Sequence, residues 1–375
     1  MAEDKKIGVV SNPILIKTSG SEKSFGSFFN KTNIIAGILI LIILVALVNL
    51  IFFKSSEEDV VYTKNPICGD RTIYDTCSLI KPYFCFEGSL VEKASVCKCP
   101  AGMIKLGDSC VSNYAINPKE ISLKYFLRGE EKSIDFVVYE RVMNYLSNVS
   151  RAISYSGNER PFRQDFKLKT LNDEVQREML LPLVVKIQNM SSDENEQFRI
   201  AVSLVQNIPY GNSGKILAAY NQSVGYERYP YEVLYDMQGV CGEKANLLAF
   251  LLKELNYEVV YFYNSLENHE SIGVRCPLEE SLENSGYCFV ETTGPSIITN
   301  NQIEYSGIGK ITSTPEIVLV STGKSLGDDL YEYKDAQTLI ELDGDIKSDG
   351  TLNLIQHEKY QDLKMKYGLV EVYNA

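Results

Sequence analysis

The stretch from Gln238 to Thr293 places the strongest constraint on what this chain can fold into. It begins with QGVCGEKA and continues into the apolar run NLLAFLLKEL, so Cys241 opens a predicted helix. His269 opens a predicted strand, HESIGV, and Glu291 closes another, YCFVE. A thiol, an imidazole and a carboxylate at the ends of three successive elements predict a Cys-His-Glu site on an otherwise ordinary scaffold.

Cys241 lies where a thiol becomes nucleophilic. A helix N-terminus stabilises a thiolate through its unpaired N–H groups and its dipole, and a nearby base completes the activation. The alternative is a small buried hydrophobic side chain, which is how most free cysteines behave. Gly239 and Gly242 favour the functional interpretation, because they keep side-chain bulk away from the sulfur.

His269 and Glu291 also have interpretations that involve no catalysis. A histidine is more often surface or core filler than catalytic, and a glutamate at a strand end is usually only solvated. The chain has two histidines, and the other, His357, lies in a predicted C-terminal helix. At a sheet edge His269 can present its imidazole to Cys241, and a carboxylate on the adjacent strand can orient the ring and hold its tautomer.

Composition narrows the class of protein. With 375 residues, 45% of them hydrophobic and 23% charged, the chain is globular and long enough for one sizeable domain with accessories. The net charge of −12 argues against a nucleic-acid partner, because phosphate binding needs a basic surface.

The residues from Ile34 to Phe53 predict a transmembrane helix, because this uncharged run has the length that crosses a bilayer core. A cleaved signal peptide is the alternative, but its apolar region is shorter and a small-residue cleavage site is missing here. Lysines precede the run, whereas Glu57, Glu58 and Asp59 follow it. The positive-inside rule then predicts a single-pass plasma-membrane protein with a cytoplasmic N-terminus and an extracellular C-terminal domain.

We divide the chain by composition and pattern. The predicted segments are a cytoplasmic tail (1–33), a transmembrane helix (34–53), a linker (54–67), a cysteine-rich module (68–112) and a domain over 120–375 with its core at about 175–300 and a C-terminal extension. Apolar spacing predicts helices over Tyr139–Ile153, over Leu171–Gln188 with a kink at Pro182, and over Leu352–Tyr367.

Six cysteines lie between Cys68 and Cys110 with the spacing C-x8-C-x7-C-x11-C-x-C-x10-C. Spacing alone leaves their connectivity open. A zinc site is the alternative, but no histidine lies nearby and an extracellular location favours disulfides, so we predict no metal. The last part of the segment resembles an EGF-like module. That resemblance implies three disulfides: Cys68–Cys85, Cys77–Cys97 and Cys99–Cys110.

A fourth disulfide, Cys276–Cys288, is predicted from strand alternation. His269 and Cys276 are an odd number of residues apart, as are Glu291 and Cys288. Because strand side chains alternate between faces, the disulfide would lie on the face away from His269 and Glu291. A strict pairing of His269 with Glu291 puts the two cysteines four positions out of alignment, so either a bulge or a Cys276 beyond the strand end is required.

These motifs together resemble a transglutaminase-like domain of the papain-related Cys-His-Asp superfamily, and in particular its membrane-anchored archaeal members. The resemblance rests on GVCG at 239–242 with the helix after it, on Asn-His before a strand, and on FVETT before a turn. It covers roughly 175–300. It implies an α+β fold in which the nucleophile helix packs on an antiparallel sheet that carries the other two groups.

The resemblance also implies roles for single residues. Cys241 is the nucleophile, His269 the base and Glu291 the orienting acid, in place of the commoner Asp. Eukaryotic members place an aromatic side chain, usually Trp, in the oxyanion region, and this chain has no Trp. Gln238 and Tyr229 are the candidates for that place. The calcium sites of the animal enzymes have no counterpart here, so neither a metal nor another cofactor is expected.

The predicted function is that of a membrane-anchored, extracytoplasmic cysteine enzyme that acts on protein or peptide amides through a thioester. Water as acceptor gives proteolysis or deamidation, and an amine gives transamidation. The alternative is a catalytically silent cell-surface binding or envelope protein that uses the same fold.

Overall fold

The centre of the computed structural model is a four-stranded antiparallel sheet with one long apolar helix packed on it. The structure describes residues 67–158, 160–211, 216–219, 222–225, 227–298, 304–305 and 309–369. Residues 64–375 form one compact unit.

Strands and helices alternate irregularly along the chain. The strands are β1 (Tyr83–Phe86), β2 (Ser89–Glu92), β3 (Met103–Leu106), β4 (Ser109–Ser112), β5 (Pro118–Leu127), β6 (Glu130–Tyr139), β7 (Ile216–Ala219), β8 (Gln222–Gly225), β9 (Val259–Asn264), β10 (His269–Arg275), β11 (Tyr287–Val290), β12 (Glu304–Tyr305), β13 (Gly309–Lys310) and β14 (Glu316–Ser321). The helices are α1 (Ala94–Cys97), α2 (Glu140–Asn148), α3 (Arg163–Leu171), α4 (Glu174–Met190), α5 (Glu194–Gln206), α6 (Pro230–Asp236), α7 (Cys241–Glu254), α8 (Tyr331–Asp349) and α9 (Leu354–Tyr367).

The central sheet has the strand order β11-β10-β9-β14. Every neighbouring pair in it is antiparallel. Ile272 of β10 lies opposite Val290 of β11 on one side and Tyr261 of β9 on the other. This register decides which side chains of β10 and β11 can meet, and it positions the candidate site.

Helix α7 covers one face of this sheet. Its apolar residues, among them Leu247, Leu248 and Leu251, are fully buried and share one core with Tyr261 and Ile272. The opposite face has a smaller core, formed by Val260, Phe262, Leu282, Phe289 and Ile311. Because both faces are covered, the strands are apolar on both sides, as the run VVYFY at 259–263 indicates.

A long hairpin of β5 and β6 packs beside the helices. Its strands pair in register over ten residues each, and alternate side chains of both strands are buried. In the sequence, only residues 133–138 of this hairpin show a strand-like pattern. The first strand is less evident, because charged residues precede its buried positions Ile121, Leu123 and Tyr125.

The cysteine-rich segment is attached to the rest of the unit through α4 and α5. The amide of Asn189 bonds both backbone groups of Leu90, with its oxygen accepting at 2.8 Å and its nitrogen donating at 3.0 Å. Gln197 donates to the carbonyl of Gly69 at 2.7 Å. A Cβ at Gly69 would lie 1.9 Å from the carbonyl oxygen of Gln188, so only glycine permits this close approach.

The membrane predictions need correction. Within the residues that the structure describes, no helix is both long and apolar enough to cross a bilayer. The predicted span at 34–53 lies outside the described residues. The transmembrane part of the predicted fold class and the single-pass plasma-membrane location are therefore wrong by this finding, and neither is carried further. Both depended on the apolar length of that one run and on its flanking charges. The architecture that is described is α+β.

Helix boundaries differ from the predictions where capping decides them. The predicted helix at 171–188 corresponds to α4 and starts three residues later, because the Asp173 side chain accepts the N–H of Gln176 at 3.0 Å and caps the helix there. Pro182 lies inside α4. The final helix begins at Leu354 and ends at Tyr367, and the left-handed backbone of Gly368 directly after it terminates the helix.

Candidate active site

Cys241 is the first residue of α7, and a buried carboxylate holds the turn that contains it. Oε2 of Glu243 accepts the N–H of Val240, the N-cap residue, at 3.0 Å. Its Oε1 accepts the N–H of Arg228 at 2.7 Å, and the Arg228 guanidinium lies 3.1 Å from Oε2. All nine cysteines lie in the described residues, and Cys241 is the one that is free of a disulfide. It is partly exposed, so solvent and substrate can reach it.

His269 joins Cys241 to Glu291. Nε2 of His269 lies 2.8 Å from Oε2 of Glu291, and both side chains are buried. Cys241 is also among the groups that raise the pKa of His269, so the thiol lies close enough to act on the imidazole. Since Nε2 faces the carboxylate, Nδ1 is the ring nitrogen left for the sulfur, which fixes the tautomer of the neutral ring.

The carboxylate of Glu291 is itself held firmly. Its Oε1 accepts the N–H groups of Thr292 and Thr293 and the hydroxyl of Thr293, each at 2.8 Å. These bonds leave Oε2 for His269. A carboxylate that is fixed in this way can orient an imidazole without moving itself.

His269 and Glu291 each stabilise the charged form of the other. Burial alone would lower the pKa of His269, but the hydrogen bonds and charges of Cys241 and Glu291 raise it to about 10. Burial alone would raise the pKa of Glu291, but His269 and Thr293 bring it below its ordinary value. The pair therefore favours an imidazolium beside a carboxylate. A positive ring next to a sulfur stabilises a thiolate.

The sheet register explains how the site and the disulfide coexist. Val274 lies opposite Cys288, and Cys276 follows the end of β10, where its N–H donates to the carbonyl of Gly286 at 3.1 Å. The strict pairing of His269 with Glu291 is not formed. Ile272 pairs with Val290 instead, so the Glu291 side chain reaches back along the sheet to the imidazole.

Disulfides are present at all four predicted pairs. They join Cys68 to Cys85, Cys77 to Cys97, Cys99 to Cys110, and Cys276 to Cys288. The last one lies in the core beneath α7 and links β10 to β11. These two strands carry His269 and lead to Glu291.

Lys244 is a buried residue of this region that the sequence analysis does not identify. Its Nζ donates to the carbonyls of Gln206, Ile208 and Thr293 at 3.2, 2.6 and 2.9 Å. Burial lowers the pKa of Lys244 to about 7, although the charge of Glu291 acts in the opposite direction. One ammonium thus connects the helix of Cys241 to the loop after Glu291. A lysine in the first turn of α7, directly before its apolar run, is the signal that points to it.

Tyr210 forms part of the rim of the site. It pairs with Gly239 in a short parallel bridge, two residues before the nucleophile. The phenol is 59% exposed, and burial followed by the charges of Cys241, Glu243 and Glu291 raises its pKa. The Tyr210 phenol is therefore within the electrostatic influence of the Cys241 sulfur.

Gln238, the predicted oxyanion residue, lies three positions before Cys241. Its side chain is half-buried, and its Oε1 would lie 2.8 Å from a Cβ at Gly211, so the amide rests against that glycine. Its role in an oxyanion site stays a prediction. Among the described residues, no three or more His, Cys, Asp or Glu side chains are grouped so that they can hold a metal ion.

Comparisons with known proteins add little. No family model matches the sequence, and no curated protein matches it. Among solved structures, calcium-bound LapG from Legionella pneumophila is 14% identical, with 48% of this chain and 99% of that chain covered, at a TM-score of 0.26. The EGTA-treated form of the same protein is 13% identical, with 48% and 98% covered, at the same TM-score. The EGF-like and archaeal resemblances stay predictions.

The arrangement has the parts that acyl transfer requires. A thiol at a helix start acts on the pKa of an imidazole, and a fixed carboxylate bonds the same ring at 2.8 Å. A nucleophile, a base and an orienting group within hydrogen-bond reach are the recognised signature of covalent catalysis.

Proposed function

We propose that this chain is a transglutaminase-like cysteine enzyme that acts on protein or peptide amides through a thioester. The observation that carries the proposal is the His269 imidazole, which bonds the buried carboxylate of Glu291 at 2.8 Å and whose pKa is raised by both Glu291 and the Cys241 thiol at the start of α7. The resemblance in sequence supports the substrate class.

The reaction would proceed in two steps. The Cys241 thiolate attacks the carbonyl carbon of the amide, and the C–N bond breaks as the His269 imidazolium gives its proton to the leaving amine. The product is a thioester on the sulfur. Water or an amine then attacks this thioester, His269 takes the proton of the attacking group, and the thiolate leaves. Glu291 keeps the ring oriented during both steps.

The test is alkylation of the full chain with an iodoacetamide probe over about pH 5 to 9. We expect one label, on Cys241, with a rate at neutral pH well above that of an ordinary thiol. In His269→Ala the rate should fall at neutral pH and recover at alkaline pH, where an unassisted thiol ionises. A panel of peptides that carry glutamine or a scissile bond then identifies the acceptor.

A different result supports the alternative. If Cys241 stays unlabelled until the protein is denatured, the thiol is not a nucleophile. The same holds if His269→Ala labels like the unaltered chain. In either case the fold serves binding rather than catalysis.

A further inference from the structure

A buried ion pair lies behind the candidate catalytic groups. Nζ of Lys167 is 2.7 Å from Oε2 of Glu270, and the two side chains are only 5% and 6% exposed. The same Nζ lies 2.8 Å from Glu227. The second oxygen of Glu270 accepts from Arg163 at 3.0 Å. Two cations and two anions therefore form a chain of ion pairs, in which Lys167 and Glu270 are the buried members.

The cluster touches the backbone beside both catalytic residues. Glu270 directly follows His269, and strand alternation directs its side chain toward α7, as it does for Ile272. Gly242 directly follows Cys241. A Cβ at Gly242 would lie 2.2 Å from Oε2 of Glu270 and 3.1 Å from Nζ of Lys167. The ion pair thus rests on the first turn of the nucleophile helix.

Helix α3 is fixed against the same elements by neutral hydrogen bonds. The amide of Asn246 on α7 donates to the hydroxyl of Thr170 on α3 at 2.8 Å. The hydroxyl of Tyr261 on β9 donates to the other end of that amide at 2.5 Å. Lys167 is therefore presented from a helix that cannot shift alone. Burial would lower its pKa, but Glu227 and Glu270 raise it above the ordinary value, so it stays charged.

We propose that Lys167 and Glu270 are positioning residues that set the spacing between the Cys241 sulfur and the His269 ring. Neither side chain contacts the reacting atoms. The pair joins the residue after the nucleophile to the residue after the base. A shift of β10 against α7 would therefore have to break a buried bond between charges. This inference rests on the proposed roles of Cys241 and His269.

Stability alone does not test this role. Removing one partner of a buried ion pair leaves an uncompensated charge and destabilises any fold, whereas replacing both by apolar side chains is often neutral. A positioning role makes a different prediction. The apolar double variant should regain stability, but the spacing between the Cys241 sulfur and the His269 ring should stay altered. Small displacements of reacting groups lower rates by about 10- to 100-fold.

The experiment compares four variants of the full chain: Lys167→Met, Glu270→Gln, the double variant Lys167→Met/Glu270→Leu, and Arg199→Met as the control. Arg199 and Glu332 form an equally buried pair between α5 and α8. Three quantities are measured for each variant: the thermal midpoint, the alkylation rate of Cys241 against pH, and the NMR titration of the imidazoles. The chain has two histidines, so His357 supplies the reference signal.

We expect all three single variants to lose stability. The Lys167 and Glu270 variants should also alkylate about tenfold more slowly or worse, with the His269 pKa moving from about 10 toward its ordinary value. The double variant should recover its thermal midpoint and keep the slow alkylation. Arg199→Met should keep the wild-type rate and His269 titration.

Two results overturn the inference while leaving the proposed function intact. One is a double variant that alkylates like wild type, and the other is single variants that slow no more than Arg199→Met does. Alkylation that does not depend on His269 overturns both the inference and the proposed function.

Discussion

Nε2 of His269 lies 2.8 Å from Oε2 of Glu291, while Oε1 of the same carboxylate accepts three bonds from Thr292 and Thr293. The carboxylate is thus fixed on one side and bonded to the ring on the other. Because one oxygen is fixed and the other bonds the ring, Glu291 has the orienting role. The pKa of His269 therefore reports whether the site is intact.

Replacing Glu291 by Gln should lower the pKa of His269 from about 10 toward 6.5, because the charge that stabilises the imidazolium is lost. The raised pKa of His269 gives stability that is complete below about pH 6.5 and is lost as the pH rises through about 10. The lowered pKa of Glu291 gives stability that is present above its unfolded value and is lost as the pH falls through the folded one.

The stability advantage of the wild type over Glu291→Gln should therefore be greatest near pH 5 to 6 and shrink toward both extremes. Urea unfolding at several pH values measures this advantage, and NMR titration of the imidazoles measures the pKa. An advantage that is constant with pH would show that the pair is not ionised.

Replacing Lys244 by Met should change how stability depends on pH. Its pKa is about 7 in the folded chain and 10.5 in the unfolded chain, so between these values the unfolded state holds more protons. The Lys244 contribution therefore rises with pH across this window, by up to about 1.4 kcal/mol per unit. His269 acts in the opposite direction over much of the same range, so the two largely cancel in the wild type.

We expect Lys244→Met to lose stability more steeply than wild type as the pH rises above 7, because the His269 effect is no longer opposed. Denaturant titrations at pH 7 and 9 check this. Lys334→Met is the matched control, since Lys334 is exposed on α8. If the stability of Lys244→Met changes with pH as steeply as that of the wild type, Lys244 does not have a lowered pKa in the folded chain.

Replacing Gly242 by Ala should destabilise the fold by about 1 to 3 kcal/mol, because the new methyl group would press on Glu270 and Lys167. Gly344 on α8 is the control. A Cβ there meets nothing within 4 Å, and Ala in a helix should stabilise by about 0.5 to 1 kcal/mol. The thermal midpoints of the two variants should thus shift in opposite directions, and a shift in the same direction would refute the close approach.

Removing the Cys276–Cys288 disulfide with two alanines should cost about 3 kcal/mol from loop entropy, plus a further cost for the space left in the core. The control is removal of Cys99–Cys110, which closes a loop of similar length between half-buried positions. Calorimetry should show the larger loss for the first variant.

Only the first variant should slow the alkylation of Cys241, because Cys276–Cys288 links the strand of His269 to the strand that leads to Glu291. Equal slowing in both variants would mean that the effect is general destabilisation. An unchanged rate in both would mean that the disulfide does not support the site.

Part of the fold can be predicted from the sequence, because neighbouring residues specify those elements. The apolar run after Cys241 specifies α7, and Gly368 marks the end of α9. Helices α3 and α8 are not predicted. The α3 segment RQDFKLKTL is mostly polar, and α8 buries only a narrow set of apolar positions around Leu339 and Leu342. Its glycine at 344 also weakens the helical signal.

By itself, the sequence determined the elements that carry Cys241, His269 and Glu291, because periodicity and capping are properties of neighbouring residues. Only the tertiary structure decided the rest. It determined the register that brings Glu291 to the ring and the hydrogen bonds of Lys244 to three carbonyls. It also determined the ion pair of Lys167 with Glu270. Arg163 and Glu270 are 107 residues apart, and no local pattern specifies such a partner. Burial of both Lys167 and Glu270 makes their pairing obligatory, because an unpaired charge there would be too costly.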